Sequence, residues 1–469
     1  MTTALIAEQA WRDGDTAAAI ETADHVLTTG TDHDCVAAGV AAAAAAADGG
    51  LFDAARRWRQ VAIALEGAPA VSAAGRAALA AILVGDLEAA EHDLADARQL
   101  LCGSAPRGIG VLLDGVDAAV EAVRGGFDRA ARRLAGLAAA AVPVDPFAAE
   151  QWDDLAVTVV IAGGDDLVAQ EMLAALGDRS PTTRRRMLAA WLHLRAGRLS
   201  EARQEIAAAS GVPTLRRDAV LAAAVTVGLA RRAGDKEALR ATWRRVAPVV
   251  AGADVEVLLL DAWGELSAGA AHVSTLERDT IVDAMNTAVA KAGSPSWCSA
   301  VDLWWTVQRA VVADDVTAAS AAAERLTDLD DHRFEVRAAA ARTWASILAG
   351  DPRSVVDTAS RLAGAGQPWE AAALCGGAAE RTADPLAAKE LLSAGRAFRA
   401  KVAPGNSGGG LSKRERAVGE LLVDGLTHKE IGGRLFISPK TVEQHVAKIR
   451  QKLLVSSRAE LIAALRSRL

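Results

Sequence analysis

A break at glycine returns along most of this chain. It appears as WRDGDTAAAIETA at Gly14, ADGGLFDAARRW at Gly50, LVGDLEAAEHDL at Gly85, VRGGFDRAARRL at Gly126, IAGGDDLVAQEML at Gly164, LRAGRLSEARQEI at Gly197 and RRAGDKEALRATW at Gly234. Each break follows one apolar helix-forming run and opens a second that begins with small residues. The intervals are 36, 35, 41, 38, 33 and 37 residues. Such an interval holds two helices, and a single pair cannot cover its own apolar face, so the pattern calls for hairpins stacked on one another.

This is the period of hairpins of the tetratricopeptide kind. The full consensus of those repeats is missing, so the resemblance is to a tetratricopeptide-like array. The signal thins between Gly234 and Gly350, where GAAHVSTLERD and VADDVTAASAAAERL mark two further turns, for roughly ten hairpins in all. An irregular helical bundle is the alternative reading. Composition favours helix either way: the chain is 51% hydrophobic and 24% charged, alanine runs are frequent, Tyr is absent and strand formers are thin. Its 469 residues leave room for a long array and a second domain.

Charge divides the chain. Residues 411–469 carry 12 Lys+Arg against 6 Asp+Glu, a net of +6, which leaves 40 against 53, or −13, for residues 1–410. A basic tail suits a polyanion, and an acidic body would repel one or mask the tail. Cys35, Cys102, Cys298 and Cys375 are too dispersed for a zinc or redox motif, which fits a reducing cytoplasm. The start, MTTALIAEQAWRDGD, lacks a basic leader, and the longest apolar run, Val36 to Ala47, is too short to span a bilayer, so no membrane is expected.

The tail reads as four short helices. Ser412 with Glu415, Thr427 with Glu430 and Ser457 with Glu460 have the spacing of capping boxes, and Ser438 before Pro439 starts the third helix. Only Phe436 and Ile437 separate the second helix from the third, so the two meet at a sharp angle, as in a helix-turn-helix. Ile431 and Leu435 face inward from one, and Val442, Val446, Ile449 and Leu453 from the other. At 100° per residue, Lys440, Gln444, Ala447 and Lys448 fall opposite that stripe, with Glu443 at its edge.

These residues, GLTHKEIGGRLFISPKTVEQHVAKIRQKL, resemble the DNA-binding domain of LuxR-type transcription regulators, and the match runs over about 60 residues. The resemblance implies that the third helix lies in the major groove. It puts Glu443, Gln444 and Ala447 where members read bases, and Lys440, Thr441, His445 and Lys448 at or near backbone contacts. The helical wheel sets His445 nearer the apolar stripe. Members commonly pair through the last helix, which makes Leu461, Ile462 and Leu465 the expected surface of a homodimer on DNA. Gly419, Gly432, Gly433 and Leu454 depart from the family pattern, and each mid-helix Gly costs roughly 0.8–1 kcal/mol against Ala. Upstream, GQPWEAAALCGGAAERTADPLAAKELLSAGRAF is similar to the last hairpins of MalT-like regulators; no Gly-Lys-Ser/Thr phosphate loop accompanies it, so nucleotide binding is not implied. KVAPGNSGGG, residues 401–410, reads as a flexible tether.

Other candidates carry less. GNSGG around Ser407 has the letters of a nucleophile elbow but no strand before it. Asp32, His33, Asp34 and Cys35 are adjacent and cannot all face one ion. The Asp pairs 153/154, 165/166 and 314/315 would suit a phosphoacceptor pocket only among strands, and read better as helix starts. Trp297, Trp304, Trp305 and Trp344 read as core, with a ligand groove as the alternative. The sequence therefore describes an all-α, cytoplasmic transcription regulator, not an enzyme, with no cofactor and no metal. A helical array over 1–400, a linker over 401–410 and a DNA-binding domain over 411–469 with its helix-turn-helix at about 428–447 would bind double-stranded DNA, with a protein or small-molecule effector at the array. The alternative is an interaction scaffold whose basic tail binds an acidic protein.

Overall fold

The computed structural model describes residues 6, 7, 9, 10, 15–29, 39, 50–101, 103, 106–139, 151–177, 182–209, 215–329, 331–402, 413–423, 426–435, 438–453 and 465. They are helical with no strand among them, and the chain divides into two compact units, Met1–Arg399 and Ala400–Leu469. Asp32, His33, Asp34, Cys35 and Ser407 lie outside the described residues.

In the first unit the helices are α1 Thr16–Thr29, α2 Leu51–Ala64, α3 Ala68–Leu83, α4 Leu87–Leu100, α5 Arg107–Val123, α6 Phe127–Ala138, α7 Trp152–Ala162, α8 Asp166–Leu176, α9 Thr183–Arg195 and α10 Leu199–Ala209. They continue as α11 Arg216–Ala233, α12 Lys236–Val250, α13 Leu260–Ala271, α14 Thr275–Lys291, α15 Ser296–Ala313, α16 Val316–Asp328, α17 Glu335–Leu348, α18 Val355–Gly364, α19 Pro368–Arg381 and α20 Pro385–Val402. From α3 on they pair as hairpins, α3 with α4 through to α17 with α18, and Gly395 of α20 lies against Cys375 and Ala372 of α19. The first helix of each hairpin packs on the first helix of the next, from α3 on α5 to α17 on α19. These first helices hold the core. Trp297, Trp304, Trp305 and Trp344 are all buried in it, so the aromatic concentration is packing and not an open groove.

The recurring Gly-Asp break has one local cause. Gly85 takes φ 79° and Gly164 φ 85°, a left-handed step that glycine makes without strain, and the carboxylates of Asp86 and Asp165 then accept from Ala89 N and Val168 N at the start of the next helix. Where the motif thins, the same geometry persists with other letters. Ser274 caps α14 by accepting from Glu277 N, and Asp314 itself adopts φ 55° while Asp315 caps α16. The Asp pairs are thus partly caps. Asp154 and Asp166 are not, for both are buried ion partners, of Arg185 and Arg195 respectively, at 2.7 and 2.6 Å.

Several polar pairs between helices lie 33 or 34 residues apart in sequence: Arg57 to Asp24, Arg59 to Asp93, Arg124 to Glu91, Arg184 to Asp218, Arg231 to Glu265 and Trp243 to Glu277. Hairpins much further apart touch as well. Trp297 Nε1 donates to Val123 O across 174 residues, and Arg333 Nη1 to Gly125 O across 208. The buried Asp261 accepts from Arg337 at 2.6 Å, Arg195 at 3.0 Å and Trp305 at 2.8 Å, and so ties α9, α13, α15 and α17. Among the described residues no helix is long and apolar enough to cross a membrane.

Candidate nucleic-acid interface

The second unit holds α21 Lys413–Val423, α22 His428–Leu435 and α23 Pro439–Leu453. Its core is Val418, Leu422, Ile431, Val442, Val446, Ile449 and Leu465, with Leu421, Leu426 and Leu435 packed against it. Leu465 is fully buried there. It therefore completes this unit's own core and offers no pairing surface, which corrects its assignment to a dimer contact; Leu461 and Ile462 lie outside the described residues.

The caps set where α22 and α23 begin. Thr427 N and Oγ1 donate to Glu430 Oε2 at 2.8 and 2.7 Å, and Glu430 N returns a bond to Thr427 Oγ1, a reciprocal box. The backbone bond from Thr427 holds the Glu430 carboxyl below its usual range. Ser438 Oγ accepts from Thr441 N at 3.1 Å, with Pro439 in the first helical position, where its missing N–H costs nothing. The caps at Ser412 and Ser457, and the turn at Phe436 and Ile437, lie outside the described residues.

Burial of Val442, Val446 and Ile449 fixes the rotation of α23 about its axis. Lys440 and Glu443 are exposed as a result, and Thr441 and His445 are half-buried. His445 thus stands at the border of the apolar stripe, as its wheel position indicates. The hydroxyl of Thr441 lies 2.8 Å from Ser438 Oγ, so this side chain takes part in the cap. Gln444, Ala447 and Lys448 lie on the α23 backbone, and their side chains are outside the described residues.

Two short helices in a capped succession, the second presenting a polar face from a buried apolar stripe, make a helix-turn-helix module. Residues 410–465 match the profile of the bacterial regulatory proteins of the luxR family. The spore germination protein GerE of Bacillus subtilis is 51% identical over 55 residues, which cover 12% of this chain and 74% of GerE. The transcriptional regulatory protein UhpA of Escherichia coli is 51% identical over 51 residues, 11% of this chain and 26% of UhpA. A putative HTH-type transcriptional regulator of Mycobacterium bovis, Mb0914c, is 41% identical over 59 residues, 13% of this chain and 7% of that protein. The chain belongs to the luxR family of bacterial regulatory proteins through this C-terminal region, and spans only a small part of UhpA and the mycobacterial regulator.

In the first unit one crevice of about 1010 Å³ opens beside α6 and α8, lined among others by Phe127, Arg132, Leu167, Val168, His332 and Arg333. Arg129, Arg132 and Arg333 face Glu121, Asp128, Asp165 and Asp331 around it, a lining of mixed charge.

Proposed function

We propose that this chain is a sequence-specific, DNA-binding transcription regulator of the cytoplasm whose helix α23 enters the major groove. The observation that carries the reading is the fixed rotation of α23: the buried Val442, Val446 and Ile449 leave Lys440 and Glu443 outward, on the face where the family resemblance puts base and backbone contacts. On this reading Glu443, Gln444 and Ala447 meet base edges, and Lys440, Thr441, His445 and Lys448 meet or flank phosphates. Two protomers pair on DNA, their separation setting the spacing of half-sites. The body acts as a tetratricopeptide-like array of stacked hairpins that receives a protein or small-molecule effector. The polar pairs at intervals of 33 and 34 residues support the array.

The test separates reading from anchoring. With an operator recovered by genome-wide mapping of bound DNA, full-length Gln444→Ala is expected to lose about 1–3 kcal/mol on operator and little on scrambled duplex. Lys448→Ala should weaken both alike and lower the salt slope by about one unit. Equal loss on both duplexes for Gln444→Ala would remove its base-reading role. Salt-independent or absent duplex binding would favour the scaffold with an acidic protein partner.

A further inference from the structure

The last two helices of the body bury few large side chains, Leu374 of α19 and Phe398 of α20. Helix α19 buries mainly small side chains, Ala371, Ala372, Cys375 and Ala378, with Leu374. Gly377 approaches Trp344 so closely that a Cβ would lie 2.5 Å from the ring, and Gly395 of α20 rests on Cys375 and Ala372. Leu386 and Leu392 of α20 stay 72% and 47% exposed. Hydrophobic stabilisation follows the area removed from water, so a seat of alanines and glycines supplies little of it.

What α19 has instead is a polar seat at its start. Trp369 lies against two guanidinium groups of α11, with Arg232 at 4.6 Å and Arg231 at 5.9 Å from the ring centre. Glu370 accepts from Arg232 Nη2 at 3.2 Å, across 138 residues of sequence. Both arginines also bind Glu265, at 2.7 and 3.0 Å, so two cations face two carboxylates. Arg232 is held with its side chain 2% exposed, yet its Nε has no partner. At the far end of α19, Arg381 donates to Asp314 at 2.6 Å.

We infer that Trp369 and Glu370 form a latch on Arg231 and Arg232, and that α19 and α20 detach from the body as one cooperative unit before the rest opens. Units of this kind come from parts of a fold with few buried apolar contacts. On release Glu370 and Trp369 return to water, while Arg231 and Arg232 keep Glu265. The consequence lies in the chain's order. Residues 366–402 lead into the C-terminal unit, so detachment of the two helices lengthens the connection between that unit and the remaining body and changes its reach.

The experiment is hydrogen–deuterium exchange of the full chain, read by mass spectrometry, for the native protein, Glu370→Gln and Trp369→Leu. The expected result is exchange about tenfold faster over 367–399 in each variant, the counterpart of losing one partly buried charge or cation–π contact, with α9, α11 and α13 unchanged. Unchanged exchange over 367–399 in both variants would overturn the latch. Acceleration spread evenly over the body would overturn the separate unit. Neither readout requires DNA, so the outcome stands apart from the DNA-binding reading.

Discussion

Replacing Asp261 by Asn tests whether the buried ion hub holds the hairpins together. Asp261 is 6% exposed, and its carboxylate faces Arg337 and Arg195 and accepts from Trp305. Burial by itself would raise this carboxyl, but the guanidinium groups of Arg337 and Arg195 outweigh it and hold the group down to about 2. Against an unfolded value of about 3.9, that depression is worth roughly 2–3 kcal/mol at neutral pH. An amide of the same shape keeps the packing and leaves two buried guanidiniums short of a partner, a change that costs about 3–5 kcal/mol when a buried pair is broken. A loss near 3 kcal/mol is therefore expected in urea unfolding at pH 7, followed by tryptophan fluorescence and circular dichroism.

The sign with pH follows. The folded value of Asp261 lies below its unfolded one, so its stabilisation is complete above the unfolded carboxyl range and is lost as the pH falls toward about 2. Glu256 and Glu265, each held at about 2 against burial by paired arginines, behave alike. Asp166, which burial pushes up, works the other way, keeping its contribution at low pH and losing it as the pH rises through its folded value. The gap between native and Asp261→Asn should thus narrow between roughly pH 4 and pH 2. A gap under about 1 kcal/mol at pH 7, or one that does not narrow in acid, would refute the hub.

Further outcomes concern the C-terminal unit and are read from its unfolding transition in the full chain. Thr427→Ala removes the reciprocal cap on α22 and should cost about 1 kcal/mol, while the body's transition stays in place. Gly433 is exposed, with open space where a Cβ would stand, so Gly433→Ala should raise stability by about 0.8–1 kcal/mol. Leu465→Ala should cost about 2–5 kcal/mol through a core cavity and weaken binding to single and paired half-sites equally, which a titration on both duplexes would check.

Contacts that stay within one repeat were legible in the sequence, and longer ones were not. Left-handed glycines followed by a capping Asp recur because each hairpin needs the same reversal, and that regularity exposed the interval. The signal faded after Gly234 because the reversal at 272–274 uses a serine cap and the one at 314 puts an aspartate in the left-handed position. Pairs such as Arg184 with Asp218 lie one repeat apart and were there to be found by scanning opposite charges at that interval. Asp261 with Arg195 and Arg337 was not, since its partners stand 66 and 76 residues away and follow from how several hairpins meet.

The C-terminal unit differs because its decisive interactions are local. The Thr427 to Glu430 box and the Ser438 cap span three residues each, and the apolar repeat from Val442 to Ile449 turns α23 within two helical turns. Local rules placed Lys440 outward, Glu443 at the edge of that face and His445 nearer the apolar stripe; Lys440 and Glu443 are exposed and His445 is half-buried. They misplaced Leu465, since whether a leucine near a chain's end completes a small core or pairs two copies depends on how many apolar side chains the other helices supply. Among the described residues seven buried side chains form this core, Leu465 one of them, and its truncation would leave a void beside the others. A domain this small fills its own interior first, so a pairing surface on α23's unit must be sought among residues that the core leaves uncovered.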